Sequence, residues 1–117
     1  MQVLSGAGAF TVPGPGSGAH WAEHLRVADL SVGTYSLPRG ARDDQEPHTE
    51  DEIYVVTAGQ ATLEAGGTAV PVGPGSVLYV PAGEPHRFTG ITSDLATVVV
   101  FAPAEYSRGG DAAERGR

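Results

Sequence analysis

His48, Glu52 and His86, with Glu46 as a candidate fourth, are metal-binding residue types carried on two separate, well-marked stretches. The first runs from Gly40 to Gly59 as G-ARDDQ-E-P-H-TED-E-IYVVTA-G, the second from Gly75 to Gly90 as G-SVLYV-P-A-G-EP-H-RFT-G. Two imidazoles and a carboxylate around one cation leave coordination positions open, the arrangement of non-haem metal enzymes. Glu46 and His48 are two positions apart, so on an extended strand both face one way and Gln45 and Pro47 the other. Glu52 keeps the same face if the run stays extended, and Tyr54 and Val56 follow it. Apolar neighbours beyond Glu52 would dry the site and strengthen ion–ligand interactions. Pro81-Ala82-Gly83-Glu84-Pro85 predicts a rigid kinked turn that re-aims the next strand. His86 would then face the first stretch, with Arg87 turned out and Phe88 in.

Neighbouring groups have plainer readings. The segment 43–52 carries six acids, and Asp43 and Asp44 are expected to be solvated. Glu50 and Asp51 are expected exposed or bonded to backbone near the strand entry, and His20 and His24, outside either stretch, at the surface or hydrogen-bonded. Tyr35, Tyr54, Tyr79 and Phe88 read as core aromatics; Tyr54, Tyr79 and Phe88, if inward, also line the pocket. Trp21 reads as a lid or a subunit contact.

The elements that must position these groups are strands. With 117 residues the chain fits one domain, and Gly 17 plus Pro 9 exceed a fifth of it, which favours short strands and turns over helices. Strands are predicted at 21–27, 30–37, 53–56, 60–65, 68–72, 76–80, 86–89 and 95–102, with residues 9–12 as a further edge strand. Gly66-Gly67 and Gly73-Pro74-Gly75 mark turns. That pattern of about eight to ten strands predicts an all-β, closed or double-sheet architecture. Residues 1–19 read as a flexible lead-in, 20–104 as the barrel and 105–117 as a disordered tail.

The formal net charge is −7, all basic residues are Arg, and no basic run exists, which argues against nucleic-acid or anionic-membrane partners. Cys is absent, so disulfides and thiolate ligands are excluded and any metal must be held by His and carboxylates. No apolar stretch approaches the roughly 20 residues of a spanning helix. The N-terminus does not read as a signal peptide, and cytoplasmic residence is the expectation.

The two stretches resemble the paired motifs of the cupin superfamily. Gly40, His48, Glu52 and Gly59 match G-x5-H-x-H-x3,4-E-x6-G, and Gly75, Pro81, Gly83 and His86 match G-x5-P-x-G-x2-H-x3-N. Glu46 stands where the first motif has its leading His, and Gly90 where the second has Asn. The resemblance implies a single cupin double-stranded β-helix, jelly-roll-like, binding a divalent ion: Fe, Mn, Zn or Ni. His48, Glu52 and His86 would be ligands, and Glu46 a fourth ligand or a general base beside the ion. The implied chemistry acts on a small organic molecule, by dioxygenase-like oxidation or by isomerase or lyase reaction through an enolate. The alternative is a non-catalytic metal-bearing binding or sensor module. Small cupins also pair, so a homodimer is expected, with residues 9–12 exchanged between subunits to cap a sheet edge.

Overall fold

The computed structural model of this chain describes residues 1–108. Among the described residues there is no helix, and six strands join in one antiparallel sheet. They are β1 (His20–Arg26), β2 (Ser31–Leu37), β3 (Asp51–Ala65), β4 (Thr68–Val72), β5 (Val77–Val80) and β6 (His86–Ala102). The ladder runs β1-β2-β6-β3-β4, and β5 pairs with β3. The all-β class is as expected, but the expected eight to ten short strands merge into fewer, longer ones.

The merging happens in β3 and β6, at 15 and 17 residues. Each serves as two of the predicted strands. The first half of β3 pairs β5 and the end of β6, and the second half pairs β4 and the start of β6. β-Branched and aromatic residues cluster at 53–57 in β3 and at 97–101 in β6 and suit a pleated, packed surface. Gly59, between the strands predicted at 53–56 and 60–65, carries β3 through a series of register shifts against β6. Its φ is +88°, and a Cβ there would meet the Asp94 carbonyl oxygen at 2.3 Å, so glycine alone fits. The irregularity also changes phase. Before it Glu52, Tyr54 and Val56 are buried; after it Ala61 and Leu63 are.

The core holds Tyr35, Leu37, Tyr54, Val56, Leu63, Phe88, Leu95, Val99 and Phe101, all nearly or fully inaccessible. Trp21 packs against it from β1, 6.4 Å from the Tyr35 ring and 6.1 Å from that of Phe101. Gly33 makes room for it, since a Cβ there would lie 2.3 Å from the indole.

Residues 9–12 form no strand. The lead-in is nonetheless tied to its own chain. Gly8 N–H donates to Thr34 Oγ1 at 2.8 Å, Thr57 Oγ1 donates to the Gly8 carbonyl at 2.6 Å, and Thr11 N–H donates to Ser36 Oγ at 3.1 Å. At the other end, Ala104 and Glu105 are buried. Glu105 N–H donates to Ser31 Oγ, and Arg26 donates to the Glu105 carbonyl, both at 2.8 Å. Of the segment expected as a disordered tail, residues 105–108 are described and 109–117 lie outside the described residues.

Candidate metal centre

Strand register delivers two of the donors. Glu52 lies between Val80 of β5 and Phe101 of β6, and Tyr54 between Leu78 and Val99. His86 opens β6 opposite Ala65. The turn before it is anchored to the acidic segment. Gly83 N–H donates to the His48 carbonyl at 2.7 Å, and Ala82 N–H to Asp51 Oδ1 at 2.9 Å. The two stretches are thereby bonded directly to each other.

His48, Glu52 and His86 come together: each offers a ligand atom, all within 4.8 Å of one another, and all three are buried. Their rings and neighbours are close-packed. The His48 and His86 centroids are 5.8 Å apart, and His48 stands edge-on to Phe101 at 4.7 Å. These three could hold a metal ion.

Hydrogen positions strengthen the case. His86 Nδ1 lies 2.9 Å from the Glu84 carbonyl, which only accepts, so the proton of a neutral ring sits on Nδ1. Nε2 then presents a lone pair 3.1 Å from Glu52 Oε1 and 3.0 Å from the Tyr54 hydroxyl. The His86–Glu52 contact has ion-pair distance without hydrogen-bond alignment, and neither Glu52 oxygen has a hydrogen-bond partner. A buried carboxylate left so is costly unless a cation serves it. Burial pushes the His86 pKa down, but the Glu52 carboxylate, the Glu84 carbonyl and the charge of Asp43 outweigh it and hold it above the usual 6.5. The pocket therefore favours positive charge at this spot.

Glu46 is not part of the group: it is exposed, on a stretch without strand pairing. The expected extended run from 46 to 52 is broken. Residues 41–48 lack ladder bonds, and residues 49–50 bend into β3. Pro47 contributes, having no N–H to donate and restricting the residue before it. The side chain turned inward is instead Gln45, whose Oε1 lies 3.2 Å from His48 Nε2 and accepts from Tyr54 OH at 3.1 Å. Asp43, expected to be solvated, is buried and accepts from Tyr35 OH at 2.7 Å, Phe88 N–H at 2.8 Å and Gln45 Nε2 at 2.8 Å. Glu50 is buried too, with Thr49 Oγ1, Tyr106 N–H and Arg108 N–H donating to it. Glu105 places Oε2 3.6 Å from His48 Nδ1. Glu50 thus takes the backbone-bonded of its two expected readings. Nothing in the local pattern marked Asp43, Gln45 or Glu105.

Tyr54 and Phe88 are buried beside the site, their rings 5.0 Å apart. Tyr79 is 60% exposed on β5 and does not line it, because the register turns it outward opposite Ile53. Two clefts reach the centre's rim. One of about 520 Å³ is lined by Gln45, Pro47, Pro85, His86 and the β3–β4 turn, the other of about 440 Å³ by Trp21, Tyr35, Arg42, Asp44 and Gln45. Both fall within the roughly 300–1,000 Å³ of small-molecule sites.

The model of the cupin domain family matches residues 33–102. An uncharacterized protein of Streptomyces coelicolor is 45% identical over 85 residues, 73% of this chain and 81% of that protein. Among solved structures, KdgF from a Halomonas species superposes with a TM-score of 0.69 at 22% identity, covering 78% of this chain and 85% of KdgF. A predicted oxalate decarboxylase of Thermotoga maritima superposes at 0.62 with 22% identity, over 73% of this chain and 80% of that one. The DMSP lyase DddQ of Ruegeria pomeroyi gives 0.67 at 21% identity, over 72% of this chain and 46% of DddQ. At these identities the structural likeness speaks for the fold.

Proposed function

The chain belongs to the cupin domain family, and from that premise we propose that it is a divalent-metal protein acting on a small organic molecule. The observation that carries the reading is the Glu52 carboxylate, buried without a hydrogen-bond partner, facing a His86 lone pair with His48 alongside. That donor set fits a divalent ion: two imidazoles and a hard oxygen donor suit Fe, Mn, Zn or Ni. When bound, such an ion supplies Lewis acidity, or oxygen chemistry if it is iron.

The chain's own residues supply the rest. Phe88, Phe101 and Val56 keep water from the floor, and each is at most 1% exposed. The Tyr54 hydroxyl, between His86 Nε2 and Gln45 Oε1, is placed to hold or release one proton at the rim of the donor set. The clefts at Gln45 admit a substrate the size of a small acid, enolate or catechol. Dioxygenase-like or enolate chemistry is the favoured reading, and the DMSP lyase and predicted decarboxylase among the structural neighbours suit the lyase arm. A non-catalytic metal-bearing module is the second reading, favoured by the burial of all three donors, since closed sites tend to be structural.

Metal analysis of the purified full chain decides between them. Redox-active metal with oxygen uptake or turnover on small carboxylates supports the enzyme. Tightly held zinc without turnover supports the module. No uptake of any divalent ion overturns both.

Homodimerisation and cytoplasmic residence belong to the same proposal. β1 and β4 end the sheet, and Val70, Val77 and Tyr79 leave apolar surface exposed on β4 and β5. A second copy covering them would remove an open edge. Light scattering giving a monomer at tens of micromolar would sink the dimer, and cell fractionation tests the compartment.

A further inference from the structure

We infer that the side-chain oxygen of Gln45 is a fourth donor to the ion held by His48, Glu52 and His86, an inference that rests on the metal reading above.

The amide's orientation is set by its neighbours. Asp43 Oδ2, an acceptor, takes the Gln45 Nε2 hydrogen at 2.8 Å, so the opposite end of the amide must be oxygen. Asp43 is itself held by Tyr35 OH and Phe88 N–H, one from β2 and one from β6. The oxygen is therefore aimed inward by a loop carboxylate that is itself bonded to two strands of the sheet.

The separations also fit shared coordination. Two donors at about 2.1 Å from one ion stand roughly 3.0 Å apart at a right angle and about 3.4 Å apart at a tetrahedral one. Gln45 Oε1 to His48 Nε2 is 3.2 Å, and His86 Nε2 to Glu52 Oε1 is 3.1 Å. The negative Glu105 carboxylate 3.6 Å from His48 Nδ1 favours a proton on that nitrogen and leaves Nε2 as the lone pair facing Gln45.

Charge then narrows the substrate. Glu46 in this position would have made two carboxylates and neutralised a divalent ion. A neutral amide leaves one carboxylate, Glu52, and a residual positive charge at the centre. Gln45 lines both clefts, so the weakest of the four donors stands where a ligand arrives. An anionic chelator, a carboxylate or an enolate, is the class such a centre attracts.

The test is titration of the full chain and its variants with Zn(II) and with Co(II), whose visible band reports the donor set. Gln45→Ala should bind Zn(II) at least about a hundredfold more weakly, the upper end of the roughly 10–100-fold that losing an outer partner costs. Its Co(II) band should change in position and intensity. Tyr54→Phe, which removes the hydroxyl lying against both the amide oxygen and His86 Nε2 but leaves all four donors in place, should keep the wild-type band and stay within about tenfold. If Gln45→Ala does not fold, Gln45→Met keeps the length and removes the oxygen, and the same band change is expected. Wild-type affinity and band in the Gln45 variant that folds would overturn the inference while leaving the metal reading intact. So would a Tyr54→Phe that reproduces the full loss, since Gln45 would then act only through Tyr54. A wild-type chain that takes up neither ion would overturn the metal reading itself.

Discussion

Two regions bring donors to the same centre by different means. Glu52, Tyr54 and His86 stand on β3 and β6, fixed by ladder register. Gln45 and His48 stand on residues 41–48, which have no ladder, and are fixed by buried acids and by single bonds to the opposite turn. A strand positions a side chain through many small repeated bonds. A loop does so through a few large ones, each of which matters more. The difference teaches that acids in such a loop can be structural members even where composition suggests a solvated patch.

The largest effect should erase the distinction. His86→Ala, on the strand side, and His48→Ala, on the loop side, should each bring bound metal near zero by elemental analysis. Both rings supply donors to one group, and each must be deprotonated to ligate. Metal retained in full by either folded variant would remove that residue from the site and with it one side of the comparison.

Next comes stability, where the two sides should differ. Asp43→Ala removes the acceptor for Tyr35 OH, Gln45 Nε2 and Phe88 N–H in one step, at a buried position. Denaturant unfolding should show a loss of about 3 kcal/mol, since donors are left unserved. On the sheet, Thr97 donates one buried bond to the Tyr35 carbonyl at 3.3 Å. Thr97→Val should cost about 1 kcal/mol. Equal losses would mean the loop is no more dependent on its anchors than the sheet.

The pH response sharpens the strand side. In the metal-free chain the His86 pKa is held above 6.5. Its protonated form therefore adds stability that is fully present below about 6.5 and is lost as pH rises through the raised folded value. Metal affinity has the opposite sign over the same window. The ion must displace that proton, so affinity climbs as pH rises toward the folded value and levels off above it. Thermal unfolding across this range should show stability falling with pH in the metal-free chain and nearly level in the Zn(II)-saturated one, because the rising affinity offsets the lost proton. Parallel slopes would separate His86 from the ion.

The same contrast sets what was legible in the sequence. The period-2 rule placed Tyr54, Val56 and Phe88 inward correctly, because they lie on paired strands. Tyr79 reads as a core aromatic by type alone, and the phase of β5 that turns it outward is set by pairing with Ile53, a long-range fact. The rule failed for Glu46 and Gln45 because no ladder enforces alternation there, and Asp43, which reads as solvated from composition, is buried on the same unpaired stretch. Strand merging was hidden for a related reason: Gly59 reads as a stop, yet its positive φ lets β3 pass through an irregular register and continue. Glu105 had no local signature at all, since its burial depends on Ser31 and Arg26, more than seventy positions earlier.

The smallest expected effect tests the loop most sharply. By motif position Glu46 replaces a ligand histidine, whereas in the fold it is exposed and its neighbour Gln45 faces the site. If motif position governed, Glu46→Gln would remove a negative ligand and shift metal affinity strongly. If the anchors on Asp43 govern, the substitution only removes a solvated charge. Stability should then stay within about 0.5 kcal/mol. Zn(II) affinity should move only slightly and only at low ionic strength, because an exposed charge is screened over roughly 10 Å at 0.1 M salt. Zn(II) titrations of wild type and Glu46→Gln at low and at physiological salt are the measurement. A large, salt-independent loss of affinity would mean that Glu46 reaches the ion, so that the loop follows the motif after all.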